Sequence, residues 1–97
     1  MSAKAAKPRR IALPPALGPA DAEGFFDSLR AVRGAPVELD AGETRRLGGQ
    51  CVQILLAAAA AWAADGQSFR LVEASPEVSE ALRLLGVDER ALIGESA

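Results

Sequence analysis

Apolar and polar residues alternate along the chain with two different periods. Residues 10–13 alternate with a period of two, which predicts a short strand that Pro14 ends. After the Gly-Pro pair at 18–19, apolar residues recur every three or four positions until Gly34, which predicts a helix. Gly24 costs such a helix about 1 kcal/mol relative to alanine, so we expect it to mark close packing. The apolar residues of this helix are Ala22, Phe25, Phe26, Leu29 and Val32.

The middle of the chain combines a strand, a loop and a long apolar run. Residues 37–40 alternate again and predict a second strand, whereas residues 41–49, with three glycines, predict a loop around a short extended piece ending at Leu47. Residues 51–64 are apolar except for Gln53, and this 14-residue run is shorter than the roughly 18 to 20 residues that span a bilayer. Because alanine is the strongest helix former, the run predicts a buried core helix. Its expected buried stripe is Val52, Leu55, Leu56, Ala59, Trp62 and Ala63.

The last third of the chain repeats the strand and helix pattern. Residues 68–72 alternate and predict a third strand. Ser75 followed by Pro76 predicts a helix start, and Gly86 predicts its end, before one short turn over residues 88–93. The order strand, helix, strand, helix, strand, helix predicts an α/β fold with a small mixed or parallel β-sheet and right-handed crossovers. We expect the last helix to bury Val78, Ala81, Leu82 and Leu85.

The residue types present exclude most familiar enzyme chemistry. The chain has no histidine and one cysteine, Cys51, so it cannot form a zinc-type His/Cys cluster, a Ser-His-Asp triad, a Cys-His pair or an intrachain disulfide. We therefore predict no catalytic residue, no metal site and no cofactor. Cys51 is expected to lie buried as a small apolar residue. A lone thiol, and the lack of an apolar signal-peptide segment in residues 1–10, favour a cytoplasmic location.

Positive charge is concentrated at the N-terminus. Residues 1–10 hold four of the eleven basic residues, and the rest of the chain has a formal charge of −6. An acidic body with only four aromatic residues repels phosphate backbones, so we predict no nucleic-acid partner. We interpret residues 1–9 as a basic, flexible, solubilising tail, and we expect no direct insertion into a membrane. Residues 94–97 form a short polar tail, which leaves residues 10–93 as a single domain.

Several short segments match a known family in their order and spacing. They are Leu17-Gly18-Pro19-Ala20-Asp21-Ala22, Val37-Glu38-Leu39-Asp40, the helix entry at residues 47–56, Gly66 before Phe69-Arg70-Leu71-Val72, and Ser75-Pro76-Glu77-Val78 through Leu85-Gly86-Val87. In these segments the chain resembles the STAS domain, a family that includes bacterial anti-sigma-factor antagonists and cytoplasmic portions of sulfate transporters. The resemblance implies a small sheet with helices packed mainly on one face and a protein-binding role. It also implies a recognition surface at the loop and N-terminus of the second helix.

Phosphorylatable members of that family carry a recognisable motif at the start of the second helix. The motif is of the Asp-Ser-Ser/Thr-Gly-Leu type, and a partner kinase phosphorylates its second hydroxyl residue. The matching residues here are 48–52, Gly-Gly-Gln-Cys-Val, so Gln50 occupies the acceptor position without a hydroxyl. Thr44 is the nearest hydroxyl, six residues earlier, and does not match the motif. The resemblance therefore implies that the phosphorylation switch is absent.

The loop and the helix start together form the predicted partner-binding surface. Asp40 matches the acidic residue common at the strand exit in this family, and the pair Arg45 and Arg46 either clamps an acidic patch of a partner or is simply solvated. The predicted partner-binding residues are Asp40, Arg45, Arg46, Gly48, Gly49, Gln50 and Gln53.

Two functions remain open for this surface. The first is a non-enzymatic interaction module of bacterial signalling that binds an anti-sigma-type kinase or a chemotaxis protein. The alternative is a cytoplasmic accessory subunit of an ABC-type lipid transporter, which would bind the transporter ATPase.

Overall fold

The computed structural model describes residues 7–94. Residues 1–6 of the predicted basic tail and residues 95–97 of the predicted polar tail lie outside the described residues. The strands are β1 Arg9–Ala12, β2 Ala16–Leu17, β3 Val37–Asp40, β4 Arg46–Leu47, β5 Phe69–Val72 and β6 Ile93–Gly94. The helices are α1 Ala22–Ala31, α2 Gly49–Ala64 and α3 Pro76–Leu84, with 3₁₀ turns at Pro19–Asp21 and Glu89–Leu92.

The described strands form two sheets. The main sheet has the order β1-β3-β5-β6, in which β1, β3 and β5 are parallel and β6 is antiparallel to β5. Strands β2 and β4 form a separate parallel pair. The predicted α/β fold with a small mixed sheet is confirmed. The sequence pattern did not predict β2 or β6, because each has only two residues and exists through the strand that it pairs with. Strand β1 begins at Arg9, inside the predicted tail.

The main sheet has one apolar face and one charged face, because successive side chains of a strand point to opposite sides. On the charged face, the Arg10 guanidinium lies 3.2 Å from the Glu38 carboxylate and 3.1 Å from the Asp40 carboxylate. The helices therefore cover one face only, as the family resemblance implied. Alternate side chains of β3 and β5 are buried beneath them, namely Val37, Leu39, Phe69 and Leu71.

Helix α2 is the longest element that packs on the apolar face. Its residues Leu55 and Trp62 are 0% and 2% exposed. The Trp62 ring lies 5.7 Å from the Phe69 ring, centroid to centroid, and its Nε1 donates a 2.7 Å hydrogen bond to the Ala35 carbonyl. The predicted core helix is confirmed, although it begins two residues before the apolar run. Ala63, expected in the buried stripe, is exposed because it is rotated by about 100° from Trp62.

The predicted ends of α3 are also confirmed. The Ser75 hydroxyl accepts a 3.2 Å hydrogen bond from the Val78 N–H, which caps the start of the helix. Beyond the last turn, Gly86 has a φ of +75°, a left-handed conformation that glycine adopts without strain. The Val87 N–H then donates to the Leu82 carbonyl at 2.8 Å, so the chain folds back on the helix end.

Two further expectations about packing are wrong. Helix α3 ends at Leu84, so Leu85 leaves the helical register and is 51% exposed rather than buried. Gly24 has no neighbouring atom within 4 Å of the position that a Cβ would take, so it does not mark close packing. In α1, successive residues are rotated by about 100°, and therefore Phe25 is buried while Phe26 stays 47% exposed.

We expect Leu55→Ala to lower the free energy of unfolding by about 2 to 5 kcal/mol, because it leaves a cavity in the core. Urea unfolding followed by circular dichroism measures the change. The matched control is Leu84→Ala at a position that is 70% exposed, where the effect should stay within about 0.5 kcal/mol. Equal effects of the two substitutions would contradict the core position of Leu55.

Candidate functional site

Helix α2 begins at the surface predicted to bind a partner. The first backbone N–H groups of an α-helix have no intrahelical acceptor. Gly48 is the N-cap residue of α2 and has no side chain that could accept a hydrogen bond from them. The Gly48 N–H donates to the Leu17 carbonyl at 2.9 Å, and a Cβ on this residue would lie 3.3 Å from the same oxygen. Glycine at this position therefore lets β2 run close to the start of α2.

The exposed side of α2 has no charged side chain. None of its 16 residues is Asp, Glu, Lys or Arg, although the solvent-facing side of a helix usually carries charges. The predicted residues Gly48, Gly49, Gln50 and Gln53 lie together at the N-terminal end of this surface. Exposed residues at intervals of three and four positions form a line that we call the α2 stripe: Gln50, Gln53, Ala57, Ala60 and Ala64.

Two grooves flank the α2 stripe. The cleft towards α3, of about 410 Å³, is lined by Gln53, Leu56 and the exposed Leu85. The groove towards α1, of about 460 Å³, is called the α1–α2 groove. Both grooves include Gln50 and Gln53, so the two glutamines are accessible from either side of the helix. The α1–α2 groove is lined, among others, by Phe26, Arg30, Gln53, Ile54, Ala57 and Trp62.

Arg45 and Arg46 line a third groove, of about 770 Å³, between β4 and α3. The Arg45 Nη1 lies 3.2 Å from the Glu77 carboxylate, so its charge is paired within the chain. The pKa of Glu77 is lowered, first by its own backbone N–H and then by Arg45. Arg46 is exposed in β4 and forms no ion pair with the residues that the structure describes. Gly48 lines this groove as well, which joins it to the start of α2.

Asp40 is held by its own chain. One carboxylate oxygen accepts a 2.9 Å hydrogen bond from the Gly42 N–H, and the other lies 3.1 Å from the Arg10 guanidinium. The Gly42 N–H, followed by Arg10, lowers the pKa of this carboxyl. The structure thus places Asp40 at the end of β3, and it lines none of the three grooves described above.

The hydroxyl nearest to the helix start is buried. Thr44 is 0% exposed, and its Oγ1 donates a 2.9 Å hydrogen bond to the Pro14 carbonyl. The Ser75 hydroxyl donates to the Thr44 carbonyl. Thr44 therefore connects the residue before β2 that it contacts, Pro14, with the N-cap residue of α3. Sequence reasoning found the capping role of Ser75 but not this second contact, because the two residues are 31 positions apart.

Cys51 is a core residue, as predicted, with 0% exposure. Burial, and then the charge of Asp21, raises the pKa of its thiol, so the thiol is protonated at neutral pH. Among residues 7–94, no three His, Cys, Asp or Glu side chains lie close enough to hold a metal ion. No helix in this part of the chain is long and apolar enough to cross a membrane.

We expect Arg10→Gln to raise the pKa of Asp40 only part of the way to its ordinary value, because the hydrogen bond from the Gly42 N–H, the largest single cause of the lowering, remains. A carboxyl with a lowered pKa stabilises the fold above its ordinary pKa, and this contribution is lost as the pH falls through the lowered value. In the variant this contribution should be smaller, and its loss should be complete at a higher pH. Titration of the carboxyl carbons by NMR measures the pKa.

The control for Asp40 is Arg33→Gln, because Arg33 is hydrogen-bonded to Asp65 instead, at 2.9 Å. This substitution should raise the pKa of Asp65 and leave that of Asp40 unchanged. A complete return of the Asp40 pKa to its ordinary value in Arg10→Gln would contradict the lowering by the Gly42 N–H.

Comparison with known proteins identifies the fold that carries this surface. A family model described as "Mlab, STAS domain" matches residues 2–94, which is nearly the whole chain. No curated protein and no solved structure gives a significant match. STAS domains are generally non-enzymatic modules that bind other proteins. The chain therefore belongs to the STAS family and is a protein-interaction domain of the general anti-sigma-factor-antagonist type.

Proposed function

We propose that the protein is a non-enzymatic, cytoplasmic module of bacterial signalling that binds a partner protein through the N-terminal end of α2. The partner proposed is an anti-sigma-type kinase or a chemotaxis protein. The observation that carries the proposal is the α2 stripe, an exposed helical surface without a charged residue.

The physical argument rests on the free energy of removing charges from water. Interface cores are depleted of charged residues, because a buried ion loses hydration that its new contacts seldom replace in full. Helix α1 exposes Glu23 and Asp27, and α3 exposes Glu80 and Arg83. Helices α1 and α3 therefore present charged side chains to solvent, whereas α2 presents none. A partner can cover α2 without desolvating an ion.

The predicted site residues have unequal parts in this proposal. The open N–H groups at Gly49 and Gln50 can donate hydrogen bonds to carbonyl or carboxylate oxygens of the partner. Arg46, which forms no ion pair within residues 7–94, lines the groove between β4 and α3 together with Gly48. Asp40 and Arg45 are already bound by their own chain, so we assign them to shaping the surface.

A second candidate function follows from the lack of a phosphate acceptor. Gln50 has an amide instead of a hydroxyl, so a surface centred on it favours a constitutive complex over one that phosphorylation releases. An accessory subunit of an ABC-type lipid transporter, bound to the ATPase, needs such a constitutive contact. The amide of Gln50 in place of a hydroxyl is the observation that favours this candidate.

We expect Gln50→Asp to weaken the partner complex at least about tenfold in Kd, or ~1.4 kcal/mol, and so to lower recovery of the bound partner, because it adds a charge that the interface must desolvate. An acidic residue in the first turn stabilises a helix through its dipole, so the variant should fold like the wild-type protein. The measurement is a native pull-down of the tagged full chain from its own cells, with membranes solubilised, followed by quantitative mass spectrometry.

The matched control for this pull-down is Gln67→Asp, which makes the same change beyond the end of α2 and should leave recovery unchanged. Recovery of a kinase or chemotaxis protein supports the signalling role. Recovery of an ABC ATPase with its permease supports the accessory-subunit role. Equal recovery by Gln50→Asp and the wild-type chain would show that the partner binds elsewhere.

A further inference from the structure

The α1–α2 groove is a preformed apolar surface. Phe26 forms one wall and is 47% exposed, although it is a large hydrophobic residue. Ile54, Ala57 and Ala61 of α2 supply the facing wall, and Trp62 also lines the groove. Its volume of about 460 Å³ is enough for a few apolar side chains.

Hydrogen bonds link the carboxyl ends of α1 and α2 beside this groove. Beyond α1, the Arg33 guanidinium makes two hydrogen bonds to the Asp65 carboxylate, at 2.9 and 3.3 Å. Close to them, the Trp62 indole is anchored to the Ala35 carbonyl at 2.7 Å. A ligand would therefore meet a surface that needs little ordering, which lowers the entropy cost of binding.

Arg30 gives the groove an uncompensated positive charge. Its guanidinium carbon lies 5.8 Å from the centre of the Phe26 ring, a cation–π arrangement. In residues 7–94 it forms no ion pair with a carboxylate, whereas the charge of neighbouring Arg33 is paired with Asp65. Arginine is enriched among the residues that dominate binding energy at interfaces, and it is suited to pair with a carboxylate there.

We propose that the α1–α2 groove binds an amphipathic helix of a partner protein, with a carboxylate of that helix placed against Arg30. The occupant is a helix because the groove lies between two helices, and a third helix can pack its side chains into such a groove. The small side chains of Ala57 and Ala61, which line the groove, let a helix backbone approach closely. The inference rests on the proposed function in that Gln50 and Gln53 belong to both surfaces.

The test uses two synthetic helical peptides of about 18 residues, long enough to form helix in water. Both have leucines at positions i, i+3, i+4 and i+7, and they differ only in a Glu or a Lys beside the leucine face. Each is titrated into the ¹⁵N-labelled full chain, and NMR reports binding through amide shifts of Ile54 and Ala57. The indole N–H of Trp62 is a reporter in the groove, because the chain has one tryptophan.

The Glu peptide should shift these signals and bind at least about tenfold more tightly than the Lys peptide. Arg30→Glu should reverse the preference, and Arg30→Gln, which is the milder change if the first variant folds poorly, should abolish it. Arg90→Glu is the matched control on a different surface and should leave the preference intact. No shift at millimolar peptide, shifts elsewhere, or equal affinities for the two peptides would overturn the proposal.

Two further outcomes separate this inference from the proposed function. If the peptides do not bind but Gln50→Asp still reduces recovery of the cellular partner, the groove proposal is wrong and the proposed surface stands. If the Glu peptide binds as expected while recovery does not depend on Gln50, the proposed function fails instead. Concentration-dependent shifts of Ile54 and Trp62 without any peptide would mean that a second copy of the chain occupies the groove, which also overturns the proposal.

Discussion

The burial of one face of α2 against the main sheet is the interaction on which the rest of the structure depends. Trp62 is fixed on two sides, by the Phe69 ring of β5 and by the Ala35 carbonyl before β3. The buried residues of α2 are all apolar, so its packing on the sheet places no ion in the core. The same packing positions the N-terminal end of α2 beside β2, where Gly48 meets Leu17, and so determines what the surface presents to a partner.

Ion pairs within the chain decide which charges remain for a partner. Arg10, Arg33 and Arg45 each lie 2.9 to 3.2 Å from a carboxylate of the same chain. These exposed pairs contribute little to stability, but a partner can use such a charge only by disrupting the pair. Arg30 and Arg46 form no ion pair with the described residues, and they lie in two different grooves that both adjoin the start of α2. The guanidiniums of Arg30 and Arg46 therefore favour a partner that has acidic residues on either side of an uncharged region, which would contact α2.

The sequence patterns predicted elements whose signal is local and missed those that depend on distant partners. The alternation of apolar and polar residues that predicts β3 and β5 lies within each strand, and the apolar run that predicts α2 lies within the helix. Strand β2 was missed because Ala16 and Leu17 become a strand only by pairing with β4. The residues of the candidate site also divide into those with a local signal and those that depend on distant partners. The exposure of Gln50 follows from its polarity and its place just before the apolar run, whereas the contact of Asp40 with Arg10 spans 30 positions and leaves no local pattern.

The lack of charge on α2 would also follow from helix formation alone, since alanine is the strongest helix former. That explanation accounts for Ala57, Ala60 and Ala64 but not for the exclusion of Glu, Lys and Arg, which form helices almost as well and solvate an exposed surface better. Helices α1 and α3 use such residues at their exposed positions in the same chain. Helix propensity alone does not distinguish α2 from them, whereas the proposed contact with another protein does. Small uncharged side chains permit close packing and place no ion in the interface.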